Sequence, residues 1–549
     1  GKIADLVNSL NIPDVPPVSI APLLGQMVGA GVGSLMDLEN GGFDTKGELC
    51  IFWTSMAFDK FSIALQVNSR ERAEEAVRSL LAGTDGKHRG MTYVVSEGQF
   101  AWAFLDDVLV YSKDKTAVME TINTHLKEKP SILHDEKYLD TVEGLRSGDI
   151  SVYVGLDTIA STFLPLLKLQ AEKTKKELAE QMKKQSAATP DMPFDPAKML
   201  GMEIDMGMWL LQQLRSYSIS VGIGRDGIWT NDSLKFKPDS PVCSFLNIRP
   251  SELKLIESLP SDVMMAGGAT IDAESLERFN SIMLDLFLPA MQEEMTAGQM
   301  AELREIYVTV THDILSCLGD EVAFAVMTKS DKMMPRVVYI LEVVDKAKAQ
   351  ETLGNLTYIM EMSRPFYKAF GMDVQMTEGP TQRYTGIQIE SFQMDLSKMA
   401  ELVPNGAAIY PEQMFLWYTF VDDKMIYAMS QSANTIKTAI DAVKGRSASI
   451  TNSPGFEDID IRLPERKNAI LYISPTGYLS FVMGIVISQM GQKMPAGAMD
   501  TMEPNMGFAV ATNLDGDGIR NLNYFLVKEI QSLVNTVVGF SQMMKPNQQ

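Results

Sequence analysis

Few residues in this chain have the types and spacing that chemistry requires, and the most suggestive are two acidic pairs. Asp106-Asp107 and Asp422-Asp423 each set two carboxylates side by side, as general acid–base work would use them. Asp is equally good turn chemistry, because its short side chain bonds the backbone just ahead of it. Each pair lies between two strand-like runs, 99–105 with 108–112 and 415–421 with 424–430. That arrangement reads as a tight hairpin turn. The four aspartates are expected to be exposed turn residues with no catalytic part.

The other candidates are weaker. His88, His125, His134 and His312 are the only histidines, and the closest two lack i,i+4 spacing or a nearby Cys. No HExxH, GxSxG, Walker loop or dinucleotide fingerprint is present. Gly222-Ile-Gly-Arg-Asp-Gly227 shows the letters GxGxxG but leads into another strand, so no helix N-terminus follows to hold a pyrophosphate. Asn513-Leu-Asp-Gly-Asp-Gly518 begins like an EF-hand loop, yet the acidic residue required at position 12 is Tyr524. It reads as a hairpin turn. No enzyme, cofactor or metal is expected from these residues.

Methionine is the unusual signal, with 37 residues. Met192, Met199, Met202, Met206 and Met208 lie in or near one stretch, 191–209, and Met490, Met494, Met499, Met502 and Met506 in another, 483–506. Thioether clusters can hold Cu(I), but no His or Cys accompanies these. Met also packs cores and lids, or forms adaptable apolar surfaces. An exposed apolar excursion of this size points to a partner, a ligand or a membrane. These methionines are expected to line a groove or an oligomer contact.

The elements that must position these residues occur twice. Phe104-Leu-Asp-Asp-Val-Leu-Val-Tyr111 is repeated as Phe420-Val-Asp-Asp-Lys-Met-Ile-Tyr427. Downstream, 130–140 lines up with 448–458, and the strand 149–154 with 468–473. Upstream, 64–80 resembles 340–356, each a strand running into a helix with Ser69 or Asp345 placed as N-cap. Each copy closes on an Asp-Gly hairpin, around Asp226-Gly227 and Asp517-Gly518. Five landmarks in one order predict an internal duplication. The expectation is an α+β fold of two tandem lobes, each mixing helices with antiparallel sheet. One lobe spans 1–250 with a helical insertion at 155–215; the other spans 251–549 with a Met-rich insertion at 475–505.

Within the first insertion, 167–185 reads as an amphipathic, solvated helix, with Leu167, Ala171, Leu178 and Met182 on one face and Glu172→Lys176 and Glu180→Lys184 pairs. A Gly-rich loop is expected up to Gly90, and a helical region over 276–315 broken near Pro289. The stretch 15–36 carries no charge, but its prolines and glycines make a poor membrane helix.

A net charge of −21 and a pI near 4.8 oppose a large nucleic-acid surface or docking on anionic lipid by charge. Three scattered cysteines, Cys50, Cys243 and Cys317, suit neither a disulfide framework nor a structural zinc site. The first ten residues resemble the helix at 272–282, which follows the strand 263–271. The first lobe thus begins where a strand is already expected, as if a signal-bearing segment were removed or the chain were a fragment.

The repeated blocks, the Leu259-Pro-Ser-Asp-Val-Met-Met-Ala-Gly-Gly268 strand and the Phe-x-Asp-Asp-x-x-x-Tyr hairpin together resemble the bacterial family called domain of unknown function 3352. The resemblance implies exported or membrane-anchored proteins, hence an extracytoplasmic setting, and no active site to carry over. The expected function is a non-enzymatic structural or partner-binding protein, acting through a protein partner or self-association. The alternative is a carrier of an apolar small molecule or lipid under the Met-rich insertions. Membrane association would come only through a segment ahead of residue 1.

Overall fold

A computed structural model of the chain describes residues 35–53, 61–96, 100–132, 135–139, 142–145, 148–186, 196–287, 296–331, 334–354, 375–397, 411–489 and 506–543. The chain divides into two compact units, 1–143 and 144–549. The lobe boundary read from the repeats, near residue 250, is a different kind of division, because strands that precede it hydrogen-bond into the second unit's sheet.

The first unit contains β1 (Leu49–Trp53), β2 (Phe61–Gln66), α1 (Arg70–Leu80), β3 (Gly83–His88), β4 (Met91–Ser96), β5 (Ala101–Leu105), β6 (Val108–Ser112) and α2 (Lys115–His125). Its antiparallel sheet runs β1-β2-β6-β5-β4-β3. Alternation along β5 sends Trp102 and Phe104 to one core, with Val77 of α1, and Ala101 and Ala103 to the other, with Val118 and Ile122 of α2. Ser69 occupies the N-cap of α1 without a side-chain bond, whereas the Asp114 carboxylate accepts from Thr116 N at 2.9 Å and caps α2.

One expectation fails here. The Gly-rich stretch before Gly90 is a strand, β3, hairpinned to β4 through Arg89 and Gly90, whose φ angles of 51° and 85° suit a primed turn. The glycines make the pairing possible. A Cβ on Gly83 would lie 2.2 Å from the Val95 carbonyl oxygen, and one on Gly86 would lie 2.5 Å from the Tyr93 ring.

The second unit opens with β7 (Ile150–Val154), α3 (Leu156–Ser186), α4 (Pro196–Gln213), β8 (Leu214–Ile223), β9 (Gly227–Phe236), β10 (Val263–Thr270), α5 (Ala273–Phe287) and α6 (Ala297–Cys317). It continues with β11 (Leu318–Asp331), β12 (Met334–Val343), α7 (Lys346–Gly354), β13 (Gln375–Glu378), β14 (Gln382–Tyr384), β15 (Ile387–Asp395), β16 (Gln413–Val421), β17 (Lys424–Ser430) and α8 (Asn434–Val443). It ends with β18 (Ala469–Ile473), α9 (Pro475–Gln489), β19 (Phe508–Leu514), β20 (Gly518–Leu526) and α10 (Val527–Met543).

These strands form one 14-stranded sheet in the order β13-β15-β16-β17-β12-β11-β10-β18-β19-β20-β9-β8-β7, with β14 beside β15. Every pairing is antiparallel. The α+β class is as expected. Val338, Ile340, Ile426 and Ala428 are fully buried on one face, against Ile436, Ala439 and Ile440 of α8. Those α8 positions recur at i, i+3 and i+4, so one stripe of the helix packs on this face of the sheet.

The expected helix at 276–315 appears as α5 and α6, and Pro289 lies outside the described residues. The solvated helix is the larger part of α3, whose Leu166, Leu167 and Leu169 are exposed. Its Glu172 meets Lys175 at 3.2 Å, and Lys175 reaches Asp205 of α4 at 2.5 Å, so the two helices pair through charge as well as packing. Among the described residues, no helix is long and apolar enough to cross a membrane. The uncharged stretch 15–36 falls almost wholly outside them.

Candidate functional site

The two acidic pairs sit on hairpin tips, as their sequence context predicts. Asp106, Asp107, Asp422 and Asp423 are exposed, and Asp106 and Asp422 adopt φ of 49° and 56°. The backbone carbonyls of Asp107 and Asp423 accept from Val67 N and Val343 N, both at 2.8 Å. The carboxylates face bases of their own unit: Asp422 meets Lys444 Nζ at 2.8 Å, and Asp106 lies 3.6 Å from His125 Nε2. The Asp423 carboxyl is held below its usual range, chiefly by a hydrogen bond from Lys424.

Such exposed pairs contribute little, so Asp422→Asn is expected to cost under about 1 kcal/mol. Asp422→Val places a β-branched residue in the left-handed region and is expected to cost about 1–2 kcal/mol. Thermal unfolding of the two variants checks the contrast. Equal effects would remove the turn as the explanation.

The Asn513–Gly518 turn has a structural use for its acids. Lys235 of β9, almost fully buried, binds Asp515 at 2.9 Å and Asp517 at 2.7 Å. Burial alone would lower the Lys235 pKa. Hydrogen bonds to Asp517 and Asp515 outweigh it and hold the ammonium above its ordinary value of 10.5. A raised lysine stabilises the fold fully below its unfolded pKa and loses that contribution as pH rises through the folded value. Lys235→Met is therefore expected to cost about 1–2 kcal/mol at neutral pH, discounted because its partners are partly solvated. Denaturant melts should show the gap between wild type and variant closing only at pH values above 10.5. A gap independent of pH up to denaturation would contradict the clamp.

A site that sequence reasoning missed lies on the sheet face opposite the main core. Tyr418, Tyr427, Tyr339 and Phe324 stand directly across from one another on β16, β17, β12 and β11. Their neighbours Trp417, Ile426 and Val338 are buried on the other face, so the period of two sets the row on this one, where Tyr339 and Tyr427 also pack against a smaller core of Leu341, Val343, Met425 and Ala349 of α7. All four rings are half-buried. Tyr339 and Tyr427 stack with centroids 4.6 Å apart and planes 16° apart, and Phe324 follows at 6.1 Å.

Beyond Phe324 comes Gly267 of β10, where a Cβ would lie 2.7 Å from the Phe324 ring. At the other end Tyr418 donates to Glu390 Oε2 at 2.5 Å. Burial pushes the Tyr418 and Tyr427 hydroxyls well above the usual phenol value, helped in Tyr418 by Glu390 and in Tyr427 by Tyr339. These phenols stay protonated near neutrality. They offer flat apolar faces and donors rather than a base.

The same face turns polar on β19, β20 and β9. The Asp232 carboxylate accepts from Asn521 Nδ2 at 2.9 Å and from Asn523 Nδ2 at 2.7 Å. Thr512 donates to Asn521 Oδ1 at 2.8 Å, and Asn523 also reaches Thr230 Oγ1 at 2.8 Å. This half-buried ladder fixes the register of three strands, because a one-residue slip would turn every member to the other face. Among the described residues, no group of three or more His, Cys, Asp or Glu gathers as a metal site would require.

The family profile described as "Protein of unknown function (DUF3352)" matches residues 259–533. The chain belongs to this family. The DUF3352 match covers the aromatic row and Asn521 and Asn523, while Asp232 and Thr230 lie upstream of it. No curated protein and no solved structure matches the chain.

The methionines distribute unevenly. Met192, Met490, Met494, Met499 and Met502 lie outside the described residues. Met199 and Met202 fall on α4, and Met206 and Met208 are half-buried there. Met506 departs from the expected surface: it is fully buried in the main core, its N–H bonding Pro454 O at 2.9 Å. It leads directly into β19, whose Ala509 and Ala511 face that core, which is why it is drawn inside.

Proposed function

We propose that this DUF3352 protein is a non-enzymatic, extracytoplasmic structural or partner-binding protein, built from a duplicated lobe and binding through the outer face of its larger sheet. The observation that carries the reading is the partly exposed row of Tyr418, Tyr427, Tyr339 and Phe324. Aromatic rings supply large contact area with few rotors, and their enrichment at interfaces follows from that. The extracytoplasmic setting rests on the family resemblance alone.

Duplication is supported by strand order. The sequence β1-β2-β6-β5-β4-β3 in the first unit parallels β11-β12-β17-β16-β15-β13 in the second. Backbone bonds recur with it: Asn68 N and Ser69 N both donate to Gly42 O, as Val344 N and Asp345 N both donate to Cys317 O. On this reading β7, β8 and β9 correspond to β18, β19 and β20.

A second reading, carriage of an apolar small molecule or lipid, is favoured by the flat Tyr339–Tyr427 stack, which suits a planar or aliphatic surface. This reading also draws on the Met-rich insertions, 191–209 and 483–506, under which such a ligand would be held. Replacing Met494, Met499 and Met502 by Ser is expected to weaken self-association or ligand retention while the melting temperature holds. Loss of the fold without selective loss of association would show that these methionines pack a core.

A further inference from the structure

We propose that the side of β7 facing away from β8 is a docking edge for an extended segment of a partner polypeptide, uncharged and small-residued like β10. The inference rests on the duplication above. In the correspondence, β18 has β10 on one flank and β19 on the other, and its residues run half-buried to buried. Among the described residues β7 pairs with β8 alone, and Ile150, Ser151 and Val152 are exposed, with Ile150 at 45% and Val152 at 48%.

Edge strands that avoid pairing usually carry Lys, Pro or a bulge. Ile150-Ser-Val-Tyr-Val154 has no charge and no proline, and it pairs with β8 without a register shift. Strand addition to such an edge draws affinity from main-chain bonds and selectivity from side chains.

The occupant's chemistry follows from β10. That strand, Val263-Met-Met-Ala-Gly-Gly-Ala-Thr270, has no charge. It lies antiparallel on β18 with Gly267 opposite Leu471 and Ala269 opposite Ala469. A Cβ on Gly267 would lie 2.6 Å from the Ile470 carbonyl oxygen, so close approach there needs a small residue. Carried to β7, the register sets a glycine opposite Val152 and an alanine opposite Ile150. A chain with a net charge of −21 also disfavours an acidic segment.

Hydrogen exchange on the full chain tests this with an uncharged peptide of the sequence 263–271. About tenfold slower exchange is expected at 150–154, equivalent to about 1.4 kcal/mol of added protection, and no change at β16 or β17. The same peptide with Ala266→Pro and Gly268→Pro should give none, and the exposed-site variant Val152→Lys should lose the effect. Absence of protection by any peptide overturns the docking edge and leaves the duplication standing. Equal protection by a charged strand peptide overturns the β10-like chemistry and the correspondence behind it. Protection at 150–154 without peptide also overturns the proposal, meaning a second copy if it rises with protein concentration and the chain's own residues if it does not.

Discussion

Trp102→Ala is expected to destabilise the first unit by about 3–5 kcal/mol, the cost of removing a large buried aromatic. Trp102 is 2% exposed, packs edge-on to Phe104 at 5.8 Å, and lies under the Arg78 guanidinium at 5.2 Å. Its indole N–H donates to Leu81 O at 3.4 Å, tying β5 to the end of α1. In the second unit Trp417, which the repeat aligns with Ala101 rather than Trp102, is buried in the main core, 2% exposed with its N–H on Ser430 O at 3.3 Å, and Trp417→Ala is the comparison variant. Because residues 1–143 and 144–549 form separate compact units, each variant should lower its own thermal transition, by on the order of 10 °C for Trp102→Ala. Calorimetry resolves this. One cooperative transition moved equally by both variants would contradict separate units.

Gly267→Val is expected to be strongly destabilising. The added Cβ meets the Ile470 backbone oxygen at 2.6 Å and the Phe324 ring at 2.7 Å. A backbone atom in the centre of a sheet cannot move aside, so strain of about 3 kcal/mol or more follows. Gly207 in α4 is the contrast: nothing lies within 4 Å of a Cβ placed there. Gly207→Ala should stabilise by about 0.5–1 kcal/mol, because alanine loses less backbone entropy in a helix. Paired denaturant melts measure both, and a neutral Gly267→Val would mean that β10 packs more loosely than the distances indicate.

Much of the local architecture was legible because it depends on short-range chemistry. The Asp-Asp and Asp-Gly turns, the Asp345 cap, whose carboxylate accepts from Lys348 N at 3.0 Å, and the alternation of β16 and β17 are all written within a few residues. What was not legible depends on partners far away in sequence. Gly83 and Gly86 read as loop because the strand that needs their missing side chains, β4, becomes visible only once paired. The aromatic row was hidden for the same reason. Tyr339, Tyr418 and Tyr427 are ordinary strand residues until the register sets them side by side. Met506 was misplaced because composition marks a segment as apolar without saying which methionine faces the core.

Binding through the outer sheet face is the central claim, and native mass spectrometry of the purified chain before and after organic-solvent extraction tests it most directly. The account predicts masses above that of the bare chain before extraction, either a dimer or heterocomplex that survives solvent washing or an apolar adduct that the solvent removes. A bare monomer at every concentration, with no extractable adduct, would contradict it.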